Sequence, residues 1–148
     1  MLLAAWASTL GGCAYSVGRA PVRASAVHLQ ALEVPSAEPG LKQDLQVELA
    51  RELDRLDADG GPTPLHVAVV GSSVRSVALG AAVQEAELTL QLEADGRSVV
   101  VTARRAFALV PDDPAATALA REQAFEALAR ELAVAGLAQL LRTPGEGA

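Results

Sequence analysis

Residues 85–102 read EAELTLQLEADGRSVVVT, and this stretch carries the clearest structural pattern in the chain. In its first half, apolar and polar residues occupy alternate positions, which is the period of a strand with one buried face and one wet face. Asp95-Gly96 then favours a two-residue type I′ turn, because both central positions of that turn need positive φ. A β-rich run at residues 99–102 follows at once, so the stretch predicts an antiparallel hairpin. The apolar set is Ala86, Leu88, Leu90 and Leu92, and the polar set is Glu85, Glu87, Thr89, Gln91 and Glu93.

Two further strands and a helix are predicted before this hairpin. Residues 27–34 have short apolar spacing and end before Pro35, which indicates a strand. Leucines at three- and four-residue steps then predict an amphipathic helix, which glycines and Pro62 end. Residues 65–79 predict a long strand with a bulge near Gly71. The helix has Leu41, Leu45, Leu49, Leu53 and Leu56 on its apolar face and Lys42, Asp44, Glu48, Arg51, Glu52 and Arg55 on its other faces.

A second helix follows the hairpin. Asp112 or Asp113 is the predicted N-cap and Pro114 the first helical residue, and the helix runs to about Leu141. The element order is therefore β-α-β-β-β-α, which predicts an α+β fold. We expect a two-layer sandwich over residues 27–142, with both helices on one face of a four-stranded mixed sheet and the other face left for a partner. The apolar residues of this helix are Leu119, Phe125, Leu128, Leu132 and Leu140.

Composition excludes several classes of protein. The 148 residues are 51% hydrophobic and only 3% aromatic, which suits one domain with an aliphatic core. The net charge is −6 and the basic residues are scattered, so the chain lacks the cationic surface that nucleic-acid binding requires. A single cysteine excludes an internal disulfide framework and a thiolate metal cluster.

That cysteine, Cys13, follows an apolar start that is too short to cross a bilayer, which needs roughly 20 helical residues. The start is typical of a signal-peptide core, and Leu10-Gly11-Gly12-Cys13 resembles a lipobox. We expect a signal peptide at residues 1–12, cleavage before Cys13, and a covalent diacylglycerol and N-acyl (palmitate-type) chain on that residue. The alternative is a buried, inert cysteine in an ordinary N-terminal helix.

The segments flanking the domain complete this interpretation. No Lys or Arg precedes the apolar run, so we expect the true start to lie upstream of Met1. Ala14 rather than Asp follows the cysteine, a pattern that resembles sorting to the outer membrane. Residues 13–26 are interpreted as a lipidated tether, and residues 143–148 as a disordered tail.

The sequence offers no convergent catalytic groups, so we expect a non-enzymatic protein with no metal and no cofactor beyond the lipid. His28 and His66 lie in predicted strands and are interpreted as satisfied strand histidines rather than ligands. Glu85, Glu87 and Glu93 step along a half-exposed strand as a solvated face requires, rather than as a hydrolytic pair. The remaining candidates, the bulge residues Ser72 and Ser73, lack the flanking glycine of a nucleophile elbow.

Four arginines near the hairpin are candidates for contact with a phosphorylated lipid. Arg104 and Arg105 are adjacent and therefore point to opposite faces of their strand, and Arg75 and Arg97 are predicted nearby. The alternative is a solvated strand edge whose charges prevent aggregation.

With its elements in this order, the chain resembles the lipopolysaccharide-assembly lipoproteins of the LptE family over most of residues 10–141. The resemblance implies a small α/β sandwich that plugs and helps assemble the outer-membrane β-barrel LptD and assists lipopolysaccharide transport. It implies a lipid anchor at the periplasmic face of the outer membrane, and only Cys13 carries over by motif. The residues that carry it are Leu10-Gly11-Gly12-Cys13-Ala14-Tyr15-Ser16, Val34-Pro35, Glu38-Pro39-Gly40-Leu41 and the strand at residues 99–103.

A second interpretation uses the same anchor and a similar sandwich. It is a periplasmic lipoprotein that regulates or adapts a cell-wall synthase or a secretion assembly, and it needs no contact with lipopolysaccharide. A hydrolase is a third interpretation, and it predicts activity on ester, glycoside or peptide substrates.

Overall fold

The computed structural model describes residues 26–38, 40–77 and 82–142. The predicted signal peptide, lipobox, Cys13 and nearly all of the tether lie outside these residues, as does the predicted tail. Within them the element order is the predicted β-α-β-β-β-α. The elements are β1 Val27–Glu33, α1 Leu41–Arg55, β2 Thr63–Ser76, β3 Val83–Ala94, β4 Arg97–Ala108 and α2 Pro114–Leu140.

The strands form one four-stranded sheet in the order β1-β2-β3-β4. β1 pairs parallel with β2, and the other pairs are antiparallel, so the sheet is mixed as predicted. β1 pairs only with the first part of β2, from Thr63 to Ala68. The predicted bulge is present, since the β2 register shifts between Val69 and Gly71.

The β3–β4 hairpin turns at Asp95 and Gly96, whose φ values are 52° and 71°. Both are positive, as a type I′ turn requires. The turn places Leu92 opposite Val99 and Glu87 opposite Arg104. β4 continues to Ala108, well beyond the β-rich run that the sequence emphasises.

The core is almost entirely aliphatic and lies between one face of the sheet and the two helices. α2 approaches the sheet so closely at Gly136 that a Cβ there would lie 2.7 Å from Cδ1 of Leu92. A side chain at this position would therefore force Leu92 to shift, which favours glycine at this contact. The largest fully buried side chains are Leu41, Leu45, Leu49, Leu53, Leu65, Leu88, Leu90, Leu92, Leu128, Leu132, Leu137 and Leu140.

The helix ends follow local signals, with two corrections. Asp113 caps α2 by accepting a hydrogen bond from the Ala116 amide at 3.0 Å, and Pro114 is the first helical residue. The glycine expected to end α1 is not the first left-handed residue, because Asp57 has φ of 52° directly after the C-cap. The prediction that Leu119 faces the core is wrong: it is 54% exposed, because burial in α2 starts only at Ala124.

Neither helix in the described part of the chain combines the length and apolar composition that crossing a membrane requires.

Candidate functional site

The side of the sheet opposite the core is free of helices in the described residues, and we name it the open face. Its strands run side by side, so their outward residues form one continuous surface. It was predicted from the alternation in β3, and the register extends it to both neighbouring strands. Its members include His66, Ala68, Gly71, Ser73 and Arg75 of β2, Glu85, Glu87, Thr89, Gln91 and Glu93 of β3, and Ser98, Val100, Thr102, Arg104 and Ala106 of β4.

Two cross-strand ion pairs lie at one end of the open face. Nη2 of Arg75 on β2 lies 2.6 Å from Oε1 of Glu85 on β3. Nε of Arg104 on β4 donates to Glu87, two residues further along β3. This contact raises the pKa of Arg104 above its ordinary value. The hydrogen bond to Glu87 is the larger cause, and the negative charge of Glu87 is the smaller one. Each arginine is thus matched by one carboxylate.

Uncharged hydrogen bonds continue the pattern along β3. The hydroxyls of Thr89 and Thr102 lie 2.9 Å apart across the strands. The Gln91 amide donates to Glu93 at 2.6 Å and to the Ser98 hydroxyl at 3.3 Å. The polar groups of the open face are therefore largely paired with one another, and the surface is polar without a concentrated charge of either sign.

The four candidate arginines do not form one cluster. Arg75 and Arg104 share the open face, as described above. Arg97 and Arg105 stand opposite Ala94 and Ala86, so they belong to the helix side of the sheet near its two ends. Arg97 donates to the carbonyl of Gln139 in α2 at 3.4 Å, whereas Arg105 is exposed and forms no ion pair within the described residues.

The other sequence candidates are dispersed. Nδ1 of His28 lies 2.9 Å from the Gly61 carbonyl oxygen, and His66 is exposed opposite Glu93. Ser72 and Ser73 are exposed on β2 beyond the bulge. In the described part of the chain, no three His, Cys, Asp or Glu side chains are placed to hold a metal ion.

Two buried glutamates in α1 were missed by the sequence analysis, which placed them away from the core. Glu48 is 6% exposed and Glu52 is 5% exposed. Glu48 accepts hydrogen bonds of 2.9 and 3.1 Å from Arg51, and Nε of Arg130 in α2 lies 3.5 Å from it. Glu52 accepts from Arg55, and this hydrogen bond lowers the pKa of the Glu52 carboxyl. An arginine follows each glutamate by three residues, but this spacing is equally typical of an exposed helix surface and did not indicate burial.

An open cleft of about 570 Å³ lies between the start of α1 and the first half of α2. Leu41 and Phe125 form its apolar floor, and Arg121 contacts both Glu38 and the Phe125 ring, whose centroid is 5.8 Å from Cζ. Asp44 also lines the cleft. Burial raises the pKa of its carboxyl, and the nearby carboxylates of Glu126, Glu122 and Glu48 raise it further, in that order.

No model of a known protein family matches the chain, and no curated protein matches it. The structure is similar to that of a protein from Caulobacter crescentus described as a lipoprotein. The TM-score is 0.60 at 18% identity, over 82% of this chain and 93% of that one. It is also similar to a Xanthomonas campestris protein of a domain-of-unknown-function family, with a TM-score of 0.51 at 17% identity, over 78% of this chain and 84% of that one. At these identities the likeness establishes the fold: a four-stranded mixed sheet layered with two helices.

Proposed function

We propose that this chain is a lipid-anchored, non-enzymatic component of the bacterial envelope, held at the periplasmic face of the outer membrane through Cys13. Its role is that of an LptE-type protein, which plugs and helps assemble an LptD-type β-barrel and assists lipopolysaccharide transport. The observation that carries the proposal is the open face, a continuous polar sheet surface whose charges are already paired. The description of the Caulobacter protein as a lipoprotein supports the anchor.

A polar surface with internal ion pairs suits the inside of a membrane barrel. The lumen of such a barrel is polar and wet, in contrast to its lipid-facing band. Unpaired charges enclosed there would lose hydration without compensation, whereas Arg75 with Glu85 and Arg104 with Glu87 remain compensated. These four side chains therefore bring no uncompensated charge to a polar, wet wall.

The anchor supplies the rest of the binding free energy. Each buried methylene of an acyl chain contributes about 0.8 kcal/mol, and two or more chains make attachment durable. Confinement to the membrane raises the effective concentration of the domain at a barrel in the same membrane. Weak polar contacts at the open face are then sufficient for a stable complex.

Contact with lipopolysaccharide is proposed at the arginines. Guanidinium groups bind phosphate in two-point geometry, and Arg75 and Arg104 lie on the same face beside adjacent outward positions of β3. A lipid phosphate would displace Glu85 or Glu87 from its arginine. Arg105 needs no such exchange, since it forms no ion pair within the described residues.

The test compares the native chain with Cys13→Ser in its own host. We expect the native chain to be acylated by mass spectrometry, to fractionate with outer membranes and to co-purify with one β-barrel in equal amounts. The serine variant should lose the acyl mass and most of the barrel. Depletion should lower barrel maturation and surface lipopolysaccharide.

Three outcomes would overturn parts of this proposal. An unmodified Cys13 thiol with the leader still attached would contradict the proposed lipid anchor. Co-purification of a cell-wall synthase or a secretion ring in place of a barrel favours the regulator or adaptor. The double variant Arg75→Gln, Arg104→Gln tests the phosphate contact. If it transfers lipopolysaccharide as the wild type does, the proposed phosphate contact at the open face is wrong and the plug role is unaffected.

A further inference from the structure

β2 is much longer than the strand beside it. β1 ends at Glu33 opposite Ala68, whereas β2 continues from residue 69 to Ser76. We name residues 69–76 the step. On its β3 side every residue of the step except Val70, which lies in the bulge, has a partner, but on its other side no strand lies next to it in the described part of the chain. About half of its backbone amides and carbonyls therefore face outward, because these groups alternate in direction along a strand.

From this edge we infer that two copies of the chain pair through their steps in antiparallel orientation. The two four-stranded sheets would join into one continuous sheet, with β2 beside its symmetry mate. From Gly71 to Ser76 the outward backbone groups recur every second residue, and only another extended backbone presents complementary groups at that spacing. A two-fold axis makes the step self-complementary. The step of each copy extends past the end of its own β1 and lies in the space beyond the β1 of the other copy.

The side chains of the step are compatible with this pairing. Directly opposed residues of an antiparallel pair share a face, so an axis through Ser73 puts Arg75 opposite Gly71 and Ser72 opposite Val74. No like charges meet. Gly71 leaves space for the arginine, which also keeps its own carboxylate partner, Glu85.

The other edge of the sheet is poorly suited to the same contact. β4 carries Arg97, Arg104 and Arg105, of which only Arg104 has an ion-pair partner, Glu87, within the described residues, and charged side chains on an edge strand oppose pairing with a second copy. The step has one arginine, and Glu85 neutralises it. The β4 edge thus carries the kind of charge that commonly prevents strand addition, whereas the step does not.

Apolar surface lies at both ends of the step. Val70 and Val77 are 54% and 47% exposed. A cleft of about 460 Å³, lined by Leu32, Val34, Pro35 and Val69 together with Glu33 and Lys42, opens where β1 ends. In the pair centred on Ser73, Val77 of the symmetry mate reaches the mouth of this cleft and is withdrawn from water.

The contact is small, so the dimer should be weak and reversible. One added strand covers less than the roughly 1,200–2,000 Å² that stable complexes bury. Confinement to a membrane would favour pairing by raising the local concentration, but the pairing itself does not depend on the proposed function.

The experiment uses the full chain in detergent and measures its mass by sedimentation over a wide concentration range. We expect a rise from monomer to dimer for the wild type. Ser73→Lys places two ammonium groups face to face at the axis and should keep the chain monomeric. Ser98→Lys, also on the open face but on β4, is the matched control and should dimerise like the wild type; circular dichroism checks that both variants are folded.

Cysteine variants test the position of the axis independently. Under mild oxidation, Ser73→Cys should form a disulfide-linked dimer many times faster than Ser98→Cys, with the unmutated chain as the background control. A monomeric wild type at every concentration would overturn the inference. So would equal dimerisation of the two lysine variants, or equal cross-linking of the two cysteine variants.

Discussion

The two faces of β3 carry different kinds of interaction on one backbone. Toward the helices, Leu88, Leu90 and Leu92 are 0% exposed and belong to the hydrophobic core. Toward solvent, Glu87 and Thr89 each bond a partner on β4. The core face is stabilised by burial, which needs shape but no specific partner. The open face needs the right neighbour opposite each polar group, and it gains little free energy from having it.

The largest effect is expected from a cavity in the core face. Leu90→Ala should lower the free energy of unfolding by about 2–5 kcal/mol, because the helices above it can collapse only in part. Thr89→Ala, its neighbour on the other face, should cost less than about 1 kcal/mol. Urea denaturation followed by circular dichroism measures both values. Similar losses for the two variants would remove the distinction between the faces.

Added volume at the helix–sheet contact should have the next largest effect. Gly136→Val places methyl groups where even a Cβ is too close to Leu92, so we expect a loss of about 1–3 kcal/mol from overpacking. Ala138→Val, two residues later on the exposed side of α2, introduces the same side chain without the clash. A Gly136→Val variant as stable as this control would show that the core tolerates a wider spacing.

The ion pair between Glu87 and Arg104 should contribute only about 0.2–1 kcal/mol in a double-mutant cycle with Glu87→Gln and Arg104→Gln. High salt should reduce the coupling, because the Arg104 side chain is 55% exposed. A coupling that exceeds the loss in Leu90→Ala would contradict the view that this face is held together weakly.

The smallest effect is expected at Asp44, in the helix layer. Its pKa is raised by folding, so the ionised carboxylate is less favourable in the folded chain than in the unfolded one. The contribution of Asp44 to the free energy of unfolding should therefore fall as the pH rises from the unfolded pKa of this carboxyl through the folded one, and urea denaturation of wild type and Asp44→Asn at each pH measures it as a difference. Asp44→Asn should remove this dependence and add less than about 1 kcal/mol at neutral pH. Below the unfolded pKa the variant and the wild type should be equally stable.

Most of the fold could be predicted from local pattern. The alternation in β3 assigns a face to every residue of that strand, and the Asp95-Gly96 turn determines which residues of β4 stand opposite. The pairing of Glu87 with Arg104 follows from that register. Asp113 and Pro114 likewise placed the start of α2 correctly.

Contacts between distant elements could not be predicted in this way. The Arg75–Glu85 pair depends on the register across the β2–β3 connection, which no turn signature determines. Burial of Glu48 depends on α2 lying beside α1 and supplying Arg130. Leucine spacing in α1 predicts one buried stripe. Because α1 contacts the sheet on one side and α2 on another, a wider part of its surface is buried. The unequal lengths of β1 and β2 were predicted from local pattern, but the step also requires β1 to pair with the first part of β2, which no local signal determines.

The two-residue turn at Asp95 and Gly96 also limits how this chain can diverge. A substitution at one position of β3 alters a single contact, but inserting or deleting one residue beside the turn exchanges the two sides of the strand from that point on. In β4, Thr102 and Arg104 would turn toward the apolar core, and Val101 and Phe107 would be left in water. Length changes in descendants of this sequence should accordingly fall in the connections and spare the hairpin.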